Sequence, residues 1–186
     1  EHPDRPGASP GTVDRILATL QAAHVPATFF VQGRWSQAEP ASARRIADDG
    51  HLVGNHSHYH SRMTLLSDRG IRTDVEEADV AVSEATGMPT RPWFRCPFGD
   101  GHDDPRVIDL LRDLGYRNVH WHVELEDWEP WRTAEAIARD AIDGVERQGD
   151  GAVVLLHTWP DRTADALPII VDGLRARGSD LVRLDD

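Results

Sequence analysis

The sequence predicts an α/β fold of parallel strands, and three observations lead there. Helix-spaced apolar stripes alternate with short apolar runs along the whole chain, and no composition break marks a linker. The third is size: 186 residues with 39% hydrophobic content suffice for one well-buried core and are too few for two. A single domain over residues 1–186 is therefore expected.

The elements follow in order. Val13, Ile16, Leu17 and Leu20 recur at helical spacing after Pro10 and Thr12, so a first helix runs to about His24. Ala27-Thr28-Phe29-Phe30-Val31 reads as a buried strand stopped by Gly33. The alternation then continues with helices over 40–49, 74–85, 105–114, 133–147 and 164–177, and strands over 51–54, 92–95, 116–121, 152–156 and 181–184. Strands joined by helices pair in parallel through right-handed crossovers. Six strands preceded by a helix leave an open seam, so a distorted (β/α) barrel lacking its first strand is expected. In such barrels the chemistry sits on loops at the carboxyl ends of strands, where His56, Arg95, Asp127 and His157 all fall.

Composition excludes several function classes. All 20 basic residues are arginine, which rules out lysine Schiff-base chemistry and the phosphate-binding lysine of P-loop enzymes. With 32 acidic residues the formal charge is -12, and no basic stripe interrupts it, so no nucleic-acid partner is expected. No apolar run approaches the roughly 20 residues of a membrane span, so no transmembrane segment is expected. The opening Glu1-His2-Pro3-Asp4 is unlike a basic, apolar leader, so no signal peptide is expected within these residues. Cys96 is the lone cysteine and permits no internal disulfide. No G-x-S-x-G elbow supports a serine hydrolase.

Three histidines stand in Asn55-His56-Ser57-His58-Tyr59-His60, and His157 follows about a hundred residues later. In a helical turn His56 and His60 would lie on one face about 6 Å apart, close enough to share one ion. In a straight strand they would be about 13 Å apart, and His58 with His60 would be the workable pair instead. Taken alone, a histidine-rich turn is often plain solvated surface, and a histidine ending an apolar strand such as Val153–Leu156 is more often structural than catalytic. Arg95-Cys96-Pro97-Phe98-Gly99 is by itself a turn with a guanidinium fork suited to a carboxylate. Trp121-His122-Val123-Glu124-Leu125-Glu126-Asp127-Trp128 is by itself a solvated acidic loop.

Together, and in this order, these segments resemble the NodB-type polysaccharide deacetylases, the fourth family of carbohydrate esterases. His56-Ser57-x-x-His60 is similar to the family's H-[ST]-x-x-H, and Arg95-x-Pro97-x-Gly99 to R-x-P-x-G. Asp127-Trp128 is similar to the end of D-x-x-D-W, with Glu124 in place of its first aspartate, and Leu155-x-His157 to L-x-H. Each pattern is weak alone, whereas four in order are specific. His157-Thr158-Trp159-Pro160 and the following Ala-Leu-Pro look closest to acetylxylan-esterase-like and chitin-deacetylase-like members.

The resemblance implies metal-dependent hydrolysis of N- or O-acetyl groups from a polysaccharide. His56 and His60 would hold a divalent ion, zinc. The Phe98 N–H would help hold the oxyanion, Arg95 would orient the base, and His157 would protonate the leaving group and be kept charged by Asp127. Trp128 and Leu155 would seat the acetyl methyl. Other tryptophans, Trp35, Trp93, Trp131 and Trp159, could stack on sugar faces or simply pack. The partner would be an acetylated polysaccharide, the chain a monomer, and its location secreted or cell-envelope.

The family's T-F-D-D-G segment, which carries the base and a third ligand, is absent from this sequence. The expectation is an N-terminally incomplete deacetylase domain, inactive as the 186 residues stand; the alternative is a relative that binds glycans without cleaving them. Asp4 stands at about the right distance before the first helix, and the terminal pair Asp185-Asp186 at the end of the expected last strand offers a permuted substitute.

Overall fold

The computed structural model describes residues 11–186, so Asp4 lies outside the described residues. In chain order the elements are α1 (Thr12–Ala23), β1 (Thr28–Val31), α2 (Gly33–Ala38), α3 (Pro40–Asp48), β2 (Leu52–Asn55), α4 (Asp68–Thr86), β3 (Trp93–Phe94), α5 (Pro105–Asp113), β4 (Arg117–Asn118), β5 (Val123–Glu124), α6 (Ala134–Gln148), β6 (Val154–Leu155) and α7 (Asp161–Arg175). The fold is α/β and every strand pair among the described residues is parallel, as the alternation predicts.

The chain gathers into two compact units. The first comprises Thr28–His120 with Arg183–Asp185 and carries the sheet β1-β2-β3-β4. β1 and β2 run in register from Thr28 opposite Leu52 to Val31 opposite Asn55, which delivers the histidine segment directly from the carboxyl end of β2. Its helices are cut by local chemistry. Ser67 Oγ accepts the Gly70 N–H to start α4, and Asp104 accepts the Arg106 and Val107 N–H groups ahead of Pro105 to start α5. Ile71, Val75, Phe94, Val107, Leu111 and Tyr116 form the core beneath the sheet, each large side chain stabilising by about 1.5–3 kcal/mol.

The second unit comprises the described residues up to Ala27, Trp121–Val182 and Asp186. Its two-stranded sheet pairs Val123 with Val154 and Glu124 with Leu155. Val123, Leu125, Ile137, Ala141, Ile170 and Leu174 make its core, where α6 and α7 pack. Thr133 Oγ1 accepts the Ala136 N–H to start α6.

Six expectations are corrected. α4 begins at Asp68, six residues before the predicted 74, because the Ser67 cap starts it there. Gly33 does not merely end β1; it starts the short α2, too brief to show a periodic stripe. The strand predicted over 116–121 is only Arg117–Asn118, and Val123–Glu124, read as acidic loop, is a strand because its partner β6 lies alongside. No strand forms over 181–184: the Leu184 N–H goes to Thr28 Oγ1 at 3.2 Å and Arg183 reaches the Gly50 carbonyl at 3.0 Å, so side-chain bonds replace a ladder. Asp185-Asp186 therefore ends no strand, and Asp185 pairs with Arg183 at 3.1 Å.

Candidate active site

The histidine segment is not the predicted helical turn. It is a loop in which Ser57 and His60 adopt left-handed backbone, φ 64 and 57. Even so, the Nε2 atoms of His56 and His60 stand 3.1 Å apart with their rings edge to face. Two nitrogens bound at roughly 2.0–2.1 Å to a tetrahedral ion lie about 3.3–3.4 Å apart, so the pair fits a shared ion. His56 Nδ1 lies 2.8 Å from the Arg95 carbonyl, which fixes that nitrogen as the N–H and leaves Nε2 with its lone pair. His58 turns away: it is 7% exposed and packs on Gly33, and its Nδ1 has no hydrogen-bond partner among the described residues. Among the described residues, no group of three or more His, Cys, Asp or Glu side chains is gathered as a metal cluster.

Around this pair, Arg95 and Phe98 take up the positions that β3 and its following turn dictate. The Arg95 N–H bonds the Asn55 carbonyl at 3.0 Å, so the two loops are stitched at their roots. Its guanidinium is buried, stacks on the Phe30 ring at 4.3 Å and donates from Nε to the Val119 carbonyl at 3.1 Å. Burial pushes its pKa down to about 10, which still leaves it charged at neutral pH. Phe98 has φ 59, and its half-exposed ring meets the His60 ring at 4.5 Å. Burial, helped by the Asp100 carboxylate, pushes the Cys96 thiol up to about 12, so it is no nucleophile.

In the other unit, His157 and Asp127 form a dyad. Asp127 is fully buried; its Oδ1 lies 2.7 Å from His157 Nδ1, and its Oδ2 accepts the His157 backbone N–H at 2.8 Å and the Thr163 hydroxyl at 2.6 Å. The carboxylate thus makes Nδ1 a donor and leaves Nε2 as the working atom of the ring. Trp128 packs edge-on against His157 at 5.0 Å between ring centres. Leu155 ends β6, opposite Glu124 on β5 and two residues before His157.

Sequence reasoning missed three supporting residues. Thr163 clamps Asp127 from the first turn of α7. Asn55 accepts the Ser57 N–H through Oδ1 at 2.8 Å and donates to the Val75 carbonyl and the Tyr116 hydroxyl. Asp74 accepts the His58 and Tyr59 N–H groups. Thr163 in the first turn of α7 reads as an ordinary cap and Asp74 as an ordinary polar position of a helix, so only Asn55, beside the histidines, carried a readable signal.

Comparison with known proteins identifies the family. A family model described as polysaccharide deacetylase matches residues 4–119. A chitooligosaccharide deacetylase from Rhizobium leguminosarum bv. trifolii is 31% identical over 189 residues, covering 94% of this chain and 85% of its own. A family 4 acetyl xylan esterase from Clostridium thermocellum, solved in complex with a cobalt ion, aligns at TM-score 0.85 and 30% identity over 97% of this chain and 85% of its own. A family 4 pseudoenzyme from Bacillus anthracis aligns at TM-score 0.85 and 27% identity over 99% of this chain and 66% of its own. With the family match spanning more than half its residues, a relative above 30% identity along nearly all of it, and the same α/β fold in the esterase structure, the chain belongs to the polysaccharide deacetylase family.

Proposed function

We propose that residues 1–186 form one deacetylase domain that acts on an acetylated polysaccharide, with a divalent ion held between His56 and His60. The observation that carries this reading is the Nε2 pair at 3.1 Å, one ring tautomer-locked by the Arg95 carbonyl. Two imidazole nitrogens favour zinc over harder cations, and the ion supplies Lewis acidity for cleaving an acetyl group.

The remaining steps belong to the chain's own side chains. His157, oriented through Nδ1 by Asp127, donates its Nε2 proton to the departing sugar nitrogen or oxygen as general acid. Trp128 and Leu155 supply apolar surface for the acetyl methyl, and the Phe98 N–H serves the developing oxyanion. Arg95 orients the base, which by family resemblance stands on the T-F-D-D-G segment that this sequence does not contain. The same proposal puts the protein, as a monomer, in the secreted or cell-envelope space.

The test is acetate release from acetylated chitooligosaccharides and xylan by the 186-residue chain, with and without a grafted T-F-D-D-G strand. Little turnover is expected without the strand and turnover is expected with it. His157→Ala in the grafted protein should lower turnover by roughly 10²–10⁴-fold with ion content unchanged. Equal rates with and without the strand, or near-normal turnover in His157→Ala, would refute the assignment. A second reading, a glycan binder without turnover, is favoured by the likeness to the Bacillus pseudoenzyme. Retained binding of the same oligomers with no acetate release after grafting would select it.

A further inference from the structure

Every backbone N–H from His56 to His60 has a defined acceptor. His56 donates to the Val31 carbonyl (3.0 Å), Ser57 to Asn55 Oδ1 (2.8 Å), His58 to Asp74 Oδ2 (3.3 Å), Tyr59 to Asp74 Oδ1 (3.0 Å) and His60 to Ser57 Oγ (2.9 Å). The loop's carbonyls are held as well, Ser57 by the Gly33 N–H and His58 by the Arg34 N–H at the start of α2. Among the described residues, Asp74 is the one acceptor side chain that reaches the His56–His60 amides from another element, the interior of α4.

Asp74 is 4% exposed and has no salt-bridge partner among the described residues. A buried carboxylate without a cation is costly unless its oxygens are hydrogen-bonded, and here each oxygen receives one loop amide. The loop in turn needs the carboxylate. Ser57 and His60 sit in left-handed backbone that side-chain sterics disfavour, and the two amides between Ser57 and His60 are the ones that Asp74 binds.

We propose that Asp74 is the positioning residue of the histidine pair: by holding the His58 and Tyr59 amides it sets the loop bend that brings the Nε2 atoms of His56 and His60 together. The inference rests on the metal-pair reading given above. Both oxygens are used, so a carboxylate is required. An amide at this position offers one acceptor and turns an N–H donor toward the other loop N–H.

The test uses the full chain with the nearly isosteric Asp74→Asn and the shorter Asp74→Ala, titrated with Co²⁺ alone, with circular dichroism confirming that each is folded. Cobalt affinity is expected to fall about 10–100-fold in both. Amide hydrogen exchange gives an ion-free readout: the His58 and Tyr59 amides should exchange slowly in the unmodified chain and fast in Asp74→Ala. Affinity within twofold of the unmodified chain in both variants, or unchanged exchange at those two amides, would overturn the proposal. Failure of the unmodified chain itself to take up cobalt would overturn the metal reading and this role with it, which the titration of that chain tells apart from a failure of Asp74 alone.

Discussion

Asp79 sits at the foot of the network that steadies the histidine loop. Its carboxylate receives hydrogen bonds from Thr90, Arg91 and the Tyr116 hydroxyl, the last at 2.9 Å; that hydroxyl accepts from Asn55, whose Oδ1 in turn holds the Ser57 N–H. Burial pushes the Asp79 pKa up, but the hydrogen bonds from Thr90, Tyr116 and Arg91, with the Arg91 charge, outweigh it and hold the carboxyl below the ordinary range. A folded pKa below the unfolded value means that the unfolded chain binds the proton first. The stability from this group is therefore fully present above about pH 4, the ordinary aspartate value, and is lost as pH falls through the lower folded value. Asp79→Asn should lower the thermal midpoint at neutral pH and flatten its decline on acidification. A set of thermal melts between pH 6 and pH 3 checks this, and parallel curves for the two proteins would contradict it. None of this was legible in the sequence, where Asp79, Thr90 and Tyr116 are far apart and individually ordinary.

At the scale of elements, α2 decides how tightly the loop is seated. A Cβ on Gly33 would meet His58 Nδ1 at 2.3 Å and the Ala78 Cα at 3.0 Å, so the glycine is required by close approach and not by a special φ. Gly33→Ala should cost about 1–3 kcal/mol by forcing His58 or α4 aside. Urea unfolding would show it as a lower midpoint at unchanged slope; an unchanged midpoint would mean that the loop gives way freely. Periodicity located the nine-residue and longer helices, together with the largely buried β1 and β2. It failed where elements are short or alternation misleads. α2 has six residues, β5 hides in an acidic run, and Leu181, Val182 and Leu184 look like a strand although side chains anchor that segment. The convergence of His56 and His60 was anticipated from helical spacing, yet left-handed residues at Ser57 and His60 produce it. Spacing can show that two residues are able to meet, whereas the backbone route depends on Asn55, Ser57 and Asp74 acting together.

For the molecule as a whole, the formal charge of -12 carried without a single lysine sets the terms of recognition. A polyanionic partner is repelled unless it meets a local arginine cluster, whereas a neutral acetylated glycan pays no such penalty. The family was legible because four short motifs fall in order along the chain, and the same motifs nominate the candidate site residues. The clamps behind them, Asp74 and Thr163, were not, because hydrogen bonds to backbone and to a buried carboxylate leave no periodic or motif signature. The central claim is that His56 and His60, and not His58, hold a divalent ion. Its most direct measurement is the Zn²⁺ and Co²⁺ stoichiometry of the folded chain and of the three single alanine variants. One ion per chain is predicted for the unmodified protein and for His58→Ala, with uptake lost in His56→Ala and in His60→Ala. Loss of the ion in His58→Ala with retention in the other two variants would contradict the account.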